Sequence, residues 1–161
     1  MNQNVIVEFI LDGRKASFET SPDKRLLDIL REDAGINGVK EGCGEGECGA
    51  CSVLRNGKLV NSCSVPVIAV HGDEILTIEG FTGTDEYRII SEAYAEAGAV
   101  QCGFCTPGFI MATAALLRNN PRPGEAEIRT ALSGNLCRCT GYTMIIKAVE
   151  SAAKRMASDE Q

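Results

Sequence analysis

The sequence predicts an α+β protein in which a strand-rich N-terminal half is followed by a helical C-terminal half. Up to about residue 80, apolar and polar residues alternate with a period of two, which is typical of strands with one buried face. Beyond Gly80–Gly83 the apolar period is 3.6 and the strand signals end. Each half also contains four of the eight cysteines. We therefore predict two domains, residues 1–80 and 84–161.

The N-terminal half is predicted to fold as a β-grasp, with strands packed on one helix around a glycine-rich loop. The predicted strands are 4–11, 15–20, 51–55, 58–62 and 74–79. Asp12-Gly13 and Asn56-Gly57 are typical of tight hairpin turns, so the first four strands are expected to form two hairpins. A short helix is predicted after Ser21-Pro22, and the segment 38–51 is too rich in glycine for a helix or a strand.

Four helices are predicted in the C-terminal half, and their short connections favour an up-and-down four-helix bundle. The predicted helices are 84–98, 106–119, 125–133 and a last one that begins at 140. Thr84 and Thr106-Pro107 are typical helix starts, and Gly98 and Gly134 are typical helix ends. Because neighbouring helices of such a bundle run in opposite directions, the first and third connections are expected to meet at one end.

The first four cysteines have the spacing of a plant-type [2Fe–2S] centre. Cys43, Cys48 and Cys51 follow the pattern C-x₄-C-x₂-C in one loop, and Cys63 supplies the fourth thiol from elsewhere. The glycines of this loop allow positive φ angles and close approach of the backbone to a compact cluster. Loop amides are then expected to point at the sulfur atoms, which raises the reduction potential of a cluster.

The second set consists of Cys102-x₂-Cys105 and Cys137-x-Cys139, which lie in the first and third helix connections. Their four sulfur atoms are therefore expected to converge at one end of the bundle. The helices predicted to start just after Cys105 and Cys139 would direct their positive ends at the site, and this favours an anionic cluster. The sequence thus predicts a second [2Fe–2S] centre.

Zinc is the alternative occupant of both sets, because four-cysteine zinc sites are common and a two-residue gap suits zinc as well as iron. The chain would then be a zinc-stabilised interaction module. Three cysteines in one glycine-rich loop, and a Cys-x-Cys pair, differ from the usual paired zinc knuckles. Disulfides are less favoured, because the N-terminus shows no signal-peptide pattern. Because the N-terminus shows no signal-peptide pattern, we also expect a cytoplasmic protein.

Composition excludes several other classes of function. A formal net charge of −6 disfavours binding to nucleic acid or to an anionic membrane surface. No apolar run approaches the roughly 20 residues that a membrane-spanning helix needs, so we expect no membrane insertion. We find no Ser/His/Asp set, phosphate-binding loop or paired catalytic carboxylates, and therefore predict no catalytic residue in this chain.

Three segments together resemble the iron–sulfur subunits of the molybdenum hydroxylases, the family of xanthine dehydrogenase, aldehyde oxidoreductase and carbon monoxide dehydrogenase. They are 42–51 (GCGEGECGAC), 101–108 (QCGFCTPG) and 134–142 (GNLCRCTGY). The resemblance extends over residues 4–153. It implies that the chain is an electron-transfer subunit and that its N-terminal domain is ferredoxin-like. Such a subunit relays single electrons from molybdenum through two [2Fe–2S] clusters toward FAD or another acceptor.

The resemblance also implies partner subunits. A large subunit would hold a molybdenum–pterin cofactor, and a further subunit would hold FAD. Gln101 and Cys139 would contact the pterin, and the first cysteine set would face the flavin. The alternative is a free-standing ferredoxin-like redox carrier. The helical half disfavours it, because such a carrier needs only one cluster.

Overall fold

The computed structural model describes residues 4–159, and its first half is built on a five-stranded mixed sheet. The strands are β1 (Val5–Leu11), β2 (Arg14–Thr20), β3 (Ser52–Arg55), β4 (Lys58–Asn61) and β5 (Glu74–Leu76). Their order across the sheet is β2-β1-β5-β3-β4. β1 runs parallel to β5, whereas all other neighbours are antiparallel. The first and last strands of this half therefore lie side by side at the centre of the sheet.

Two tight turns set the register of the outer strand pairs. Asp12 and Gly13 have φ angles of 50° and 78°, and Asn56 and Gly57 have φ angles of 49° and 77°. Positive φ at both central residues is the geometry that matches the twist of a two-residue hairpin. Both predicted hairpins, β1–β2 and β3–β4, are confirmed.

A short helix packs on the sheet to form the core of the first half. It begins as α1 (Leu26–Asp28) and continues as a π-helical turn, Ile29–Asp33, so the helix predicted after Ser21-Pro22 starts at Leu26. The fully buried side chains of this core include those of Val7, Leu26, Leu27, Ile29, Leu30, Val53, Val67, Val70 and Ile75. The glycine-rich segment 38–51 forms an irregular loop, as predicted, and Val39 and Cys51 near its two ends are buried in this core.

The predicted strand 74–79 is wrong in its second half. The structure ends β5 at Leu76 and forms a short helix, α2 (Ile78–Phe81). The carboxylate of Asp12, in the β1–β2 turn, accepts hydrogen bonds from the backbone N–H and the hydroxyl of Thr77, each at 2.7 Å. This contact turns the chain out of the sheet, and it joins residues 65 positions apart, so the local pattern could not indicate it.

Four longer helices form the second half: α3 (Asp85–Glu96), α4 (Thr106–Asn119), α5 (Glu125–Ala131) and α6 (Thr143–Asp159). α3 packs against α4 and α6, and α5 packs against the same two helices. Thr84 caps α3 by accepting a hydrogen bond from the Tyr87 N–H at 3.1 Å. In the core between the helices, the Tyr94 hydroxyl lies 2.8 Å from the hydroxyl of Thr113, so a fully buried polar atom has its partner.

The last helix begins three residues later than predicted. The expected start was 140, but Gly141 and Tyr142 adopt φ angles of 67° and 71° and hold the chain outside the helical region. α6 therefore begins at Thr143 and does not follow directly after Cys139. Only α4, which begins at Thr106, directs its first turn at the cysteines as expected.

The two halves are in contact through α4, which packs against β3 and β4. Leu54 of β3, and Ile78 and Phe81 of α2, belong to the same buried cluster as the helices of the second half. Within residues 4–159, no helix is long and apolar enough to cross a membrane.

Candidate metal centres

The first cysteine set lies in a loop that glycines hold close to sulfur. Gly44, Gly46 and Gly49 have φ angles of 72°, 83° and 68°, a conformation that L side chains rarely adopt. A Cβ on Gly42 would lie 2.8 Å from the Sγ of Cys48. The loop therefore leaves room around its thiols that no other residue type would leave.

Backbone amides of this loop point at the thiols. The N–H groups of Glu45 and Glu47 each donate to the Sγ of Cys43 at 3.3 Å, and the N–H of Gly46 donates to the Sγ of Cys63 at 3.2 Å. The hydrogen bond from Glu45 is the main cause that lowers the pKa of Cys43 to about 7. This part of the loop stabilises negative charge on sulfur.

Burial has the opposite effect on the pKa of two other thiols. It raises the pKa of Cys51 to about 11, and it raises the pKa of Cys105, in the second set, to about 12. A thiol must lose its proton to bind a metal. At neutral pH these two thiols would therefore be ionised only with a cation bound to their sulfur atoms.

The second cysteine set comes together from two separate helix connections, as predicted. The sulfur atoms of Cys102 and Cys139 lie 3.7 Å apart, and the thiol of Cys105 interacts directly with that of Cys137. The outer two are exposed and the inner two are half-buried. The hydroxyl of Tyr142 accepts a hydrogen bond from the Cys137 N–H at 3.0 Å and helps to hold this segment in its turn.

In each set the thiols are grouped as two pairs. In the first set, the thiol of Cys43 is hydrogen-bonded to that of Cys48, and the thiol of Cys51 is hydrogen-bonded to that of Cys63. In a tetrahedral zinc site all four sulfur atoms lie about 3.8 Å apart, because each Zn–S bond is about 2.3 Å long. Among residues 4–159, no three His, Cys, Asp or Glu side chains gather as they would around one ion. Paired thiols fit a binuclear cluster with four cysteine ligands, two for each iron.

The first cysteine loop is locked against the second half by a contact that sequence reasoning missed. The carbonyl oxygen of Gly49 accepts hydrogen bonds from the hydroxyl of Ser52 at 2.7 Å and from the side-chain amide of Asn135 at 3.1 Å. Asn135 is only 3% exposed. A Cβ on Gly108, in α4, would lie 2.2 Å from that carbonyl oxygen, so only glycine allows this approach.

Beside this contact, one hydrogen bond connects the two cysteine sets. The N–H of Leu136 donates to the carbonyl oxygen of Cys48 at 2.9 Å, and Leu136 is covalently joined to Cys137. Leu136 and Asn135 lie in the segment 134–142 that the sequence singled out for its cysteines. Nothing in the local pattern indicated their contact with residues almost 90 positions earlier.

The surface around the outer thiols of the second set is mostly apolar. Phe104 and Leu136, which are 47% and 53% exposed, line it together with the cysteines, Tyr142 and one charged residue, Arg138. Gln101, predicted as a pterin contact, is exposed beside Cys102. Gln101 and the exposed thiol of Cys139 therefore both lie on the surface of the chain.

Two family models match the chain and divide it between its halves. One, described as a 2Fe-2S iron-sulfur cluster binding domain, matches residues 9–74. The other, described as a [2Fe-2S] binding domain, matches residues 77–150. Each model therefore covers one of the two cysteine sets.

Relatives resemble the chain over nearly its whole length. The nicotinate dehydrogenase small FeS subunit of Eubacterium barkeri is 49% identical over 156 residues, which cover 96% of this chain and 98% of the relative. The xanthine dehydrogenase iron-sulfur-binding subunit of Escherichia coli O157:H7 is 44% identical over 156 residues, 95% of this chain and 97% of the relative.

A solved structure also has the same fold. The aldehyde oxidoreductase from Desulfovibrio desulfuricans ATCC 27774 matches with a TM-score of 0.88 and 36% identity. The match covers 96% of this chain but 17% of that one, so there the same fold is part of a much longer polypeptide.

Proposed function

Because the chain belongs to the family of small [2Fe–2S] subunits of the molybdenum hydroxylases, which includes the nicotinate and xanthine dehydrogenases, we propose that it relays single electrons inside such an enzyme. The electrons would come from a molybdenum–pterin partner and leave toward FAD or another acceptor. The chain itself would carry out no substrate chemistry.

The ligands that we propose are the eight cysteines in their two sets. Cys43, Cys48, Cys51 and Cys63 would hold the first cluster, and Cys102, Cys105, Cys137 and Cys139 the second. A bound [2Fe–2S] cluster supplies a centre that accepts and returns one electron. The paired thiols, the glycine-lined loop and the amide donors support this assignment over zinc.

The observation that carries the proposal is the hydrogen bond between the Leu136 N–H and the Cys48 carbonyl oxygen, 2.9 Å long. It joins a residue bonded to one proposed ligand directly to another proposed ligand. A free-standing carrier has no need of two ligand sets held in register. In a relay, this contact holds the two centres at a constant separation.

We propose that the apolar surface around the second cysteine set docks on the large subunit, with Gln101 and Cys139 against the pterin. The longer aldehyde oxidoreductase chain supports this, because a similar fold is there continuous with further polypeptide. The first cysteine set would then face an FAD subunit.

The two domains that we propose are residues 1–80 and residues 84–161, and the second of them is proposed to be a four-helix bundle. Eight free thiols suit a reducing compartment, and we propose the cytoplasm.

Purification of the chain with its natural partners tests this function. We expect molybdenum to co-purify in a fixed ratio to iron, and the substrate of the complex to reduce both clusters. Gln101→Ala should leave the iron content unchanged and slow this reduction about two- to twelve-fold, the effect of losing about 0.5–1.5 kcal/mol from one hydrogen bond. Asn37→Ala, at an exposed position in the first half, is the control. A chain with four irons but no molybdenum partner would instead be a ferredoxin-like carrier.

A further inference from the structure

A serine hydroxyl lies beside one of the proposed ligands of the first cluster. The Oγ of Ser64 is 3.6 Å from the Sγ of Cys63, within the range of a hydrogen bond to sulfur. The same sulfur accepts the N–H of Gly46 at 3.2 Å. The sulfur of Cys63 therefore has one backbone donor, and a serine hydroxyl that can donate to it when the thiol is deprotonated.

The surrounding loop is shaped to hold this hydroxyl in place. A Cβ on Gly46 would lie 2.6 Å from the Ser64 Oγ, so the glycine leaves the space that the hydroxyl occupies. The side-chain amide of Asn61 donates to the Gly46 carbonyl at 2.6 Å and fixes this part of the loop against the segment that carries Cys63. Ser64 is exposed, whereas its neighbour Cys63 is only 5% exposed.

We propose that Ser64 sets the reduction potential of the first cluster by donating a hydrogen bond to the Cys63 thiolate. This inference rests on the proposed function, because it takes Cys63 as an iron ligand. Reduction adds one electron and therefore one negative charge to the centre. A donor aimed at a ligand sulfur stabilises the reduced form more than the oxidised form and raises the potential. The hydroxyl keeps its proton throughout, so Ser64 itself is neither oxidised nor deprotonated.

With this role for Ser64, the first cluster would be the one that holds the electron before it leaves the chain. A higher potential at the first cluster makes transfer from the second cluster more favourable. Ser64 thus acts through Cys63 as a positioning residue, and its effect should be confined to one of the two centres.

A redox titration of the complete, cluster-loaded chain tests the inference, with EPR following both reduced clusters. Ser64→Ala should lower the equilibrium constant for reduction of only one cluster, about two- to ten-fold. That change corresponds to about 20–60 mV, since a tenfold change in a one-electron couple is 59 mV. Ser64→Thr keeps the hydroxyl and should restore the wild-type midpoint. The second cluster is an internal reference in every sample.

A matched control is Ser91→Ala, at a half-buried position on α3 where the hydroxyl donates to the Arg88 carbonyl at 3.0 Å. It should shift neither midpoint. Unchanged midpoints in Ser64→Ala, or an equal shift of both, would overturn the role of Ser64. Wild-type protein without two iron–sulfur signals would instead overturn the proposed function, so the two failures are distinguishable.

Discussion

Gly108→Ala is expected to force apart the contact that holds the two cysteine sets in register. The new methyl group would meet the carbonyl oxygen of Gly49 at 2.2 Å and the side-chain amide of Asn135 at 3.2 Å. The first of these distances is about 1 Å shorter than a carbon and an oxygen atom tolerate, so α4 and the cysteine loop must separate by about that amount. The hydrogen bond from Leu136 to Cys48, adjacent to the contact, should lengthen with it.

The size of the expected loss of stability follows from two opposing effects. Overpacking of a close contact costs about 1–3 kcal/mol, whereas alanine in place of glycine inside a helix gains up to about 1 kcal/mol. Because the methyl group meets a backbone carbonyl, the cost lies in the upper half of that range, about 2–3 kcal/mol, and we expect a net loss of about 1–2 kcal/mol in the free energy of unfolding. For a chain of this size that corresponds to a melting temperature about 2–8 °C lower.

Thermal unfolding of the cluster-loaded protein, followed by circular dichroism, measures this loss. Gly134→Ala is the control, because Gly134 is bonded to Asn135, yet a Cβ added there would have nothing within 4 Å. It should change stability by less than about 0.5 kcal/mol. A Gly108→Ala protein that melts with the wild type, while keeping both clusters, would refute the proposed role of this contact.

Three further predictions concern individual polar side chains. Thr84→Ala removes the cap of α3 and should cost about 0.5–2 kcal/mol in urea unfolding, with clusters unaffected. Tyr142→Phe leaves the Cys137 N–H without its acceptor, so the EPR signal of only one cluster should change. An equal change in both signals would contradict the assignment of Cys137 to one of the two clusters. The hydrogen bond from Asn56 lowers the pKa of Asp73. The ionised carboxylate therefore stabilises the fold above its unfolded pKa of about 4, and the effect is lost as pH falls through the lower folded value. Asp73→Asn should thus be less stable than wild type at pH 7, with the difference in urea midpoint vanishing in acid.

Local sequence patterns were sufficient for the hairpins and for the grouping of the cysteines. Asp12-Gly13 and Asn56-Gly57 determine their turns through positive φ angles, a property of the residues themselves. The convergence of Cys102 with Cys139 followed from helix direction alone, and the structure brings the two sulfur atoms to 3.7 Å.

Features that depend on distant contacts could not be predicted in this way. The helix α2 replaces the second half of a predicted strand because Asp12 bonds to Thr77. The contact of Asn135 with Gly49 spans 86 positions. A single sequence shows each of these residues as an ordinary polar or small residue, since its partner is visible only in the folded chain. The late start of α6 has a local cause, since Gly141 and Tyr142 both adopt left-handed backbone conformations and Tyr142 is not a glycine.

The central claim, that this chain carries two [2Fe–2S] clusters, is tested most directly by measuring iron, zinc and labile sulfide in the protein and recording its EPR spectrum after reduction. We predict four irons and four sulfides per chain, no stoichiometric zinc, and two separable signals. Stoichiometric zinc with no visible absorption, or a single signal from two irons, would contradict the account.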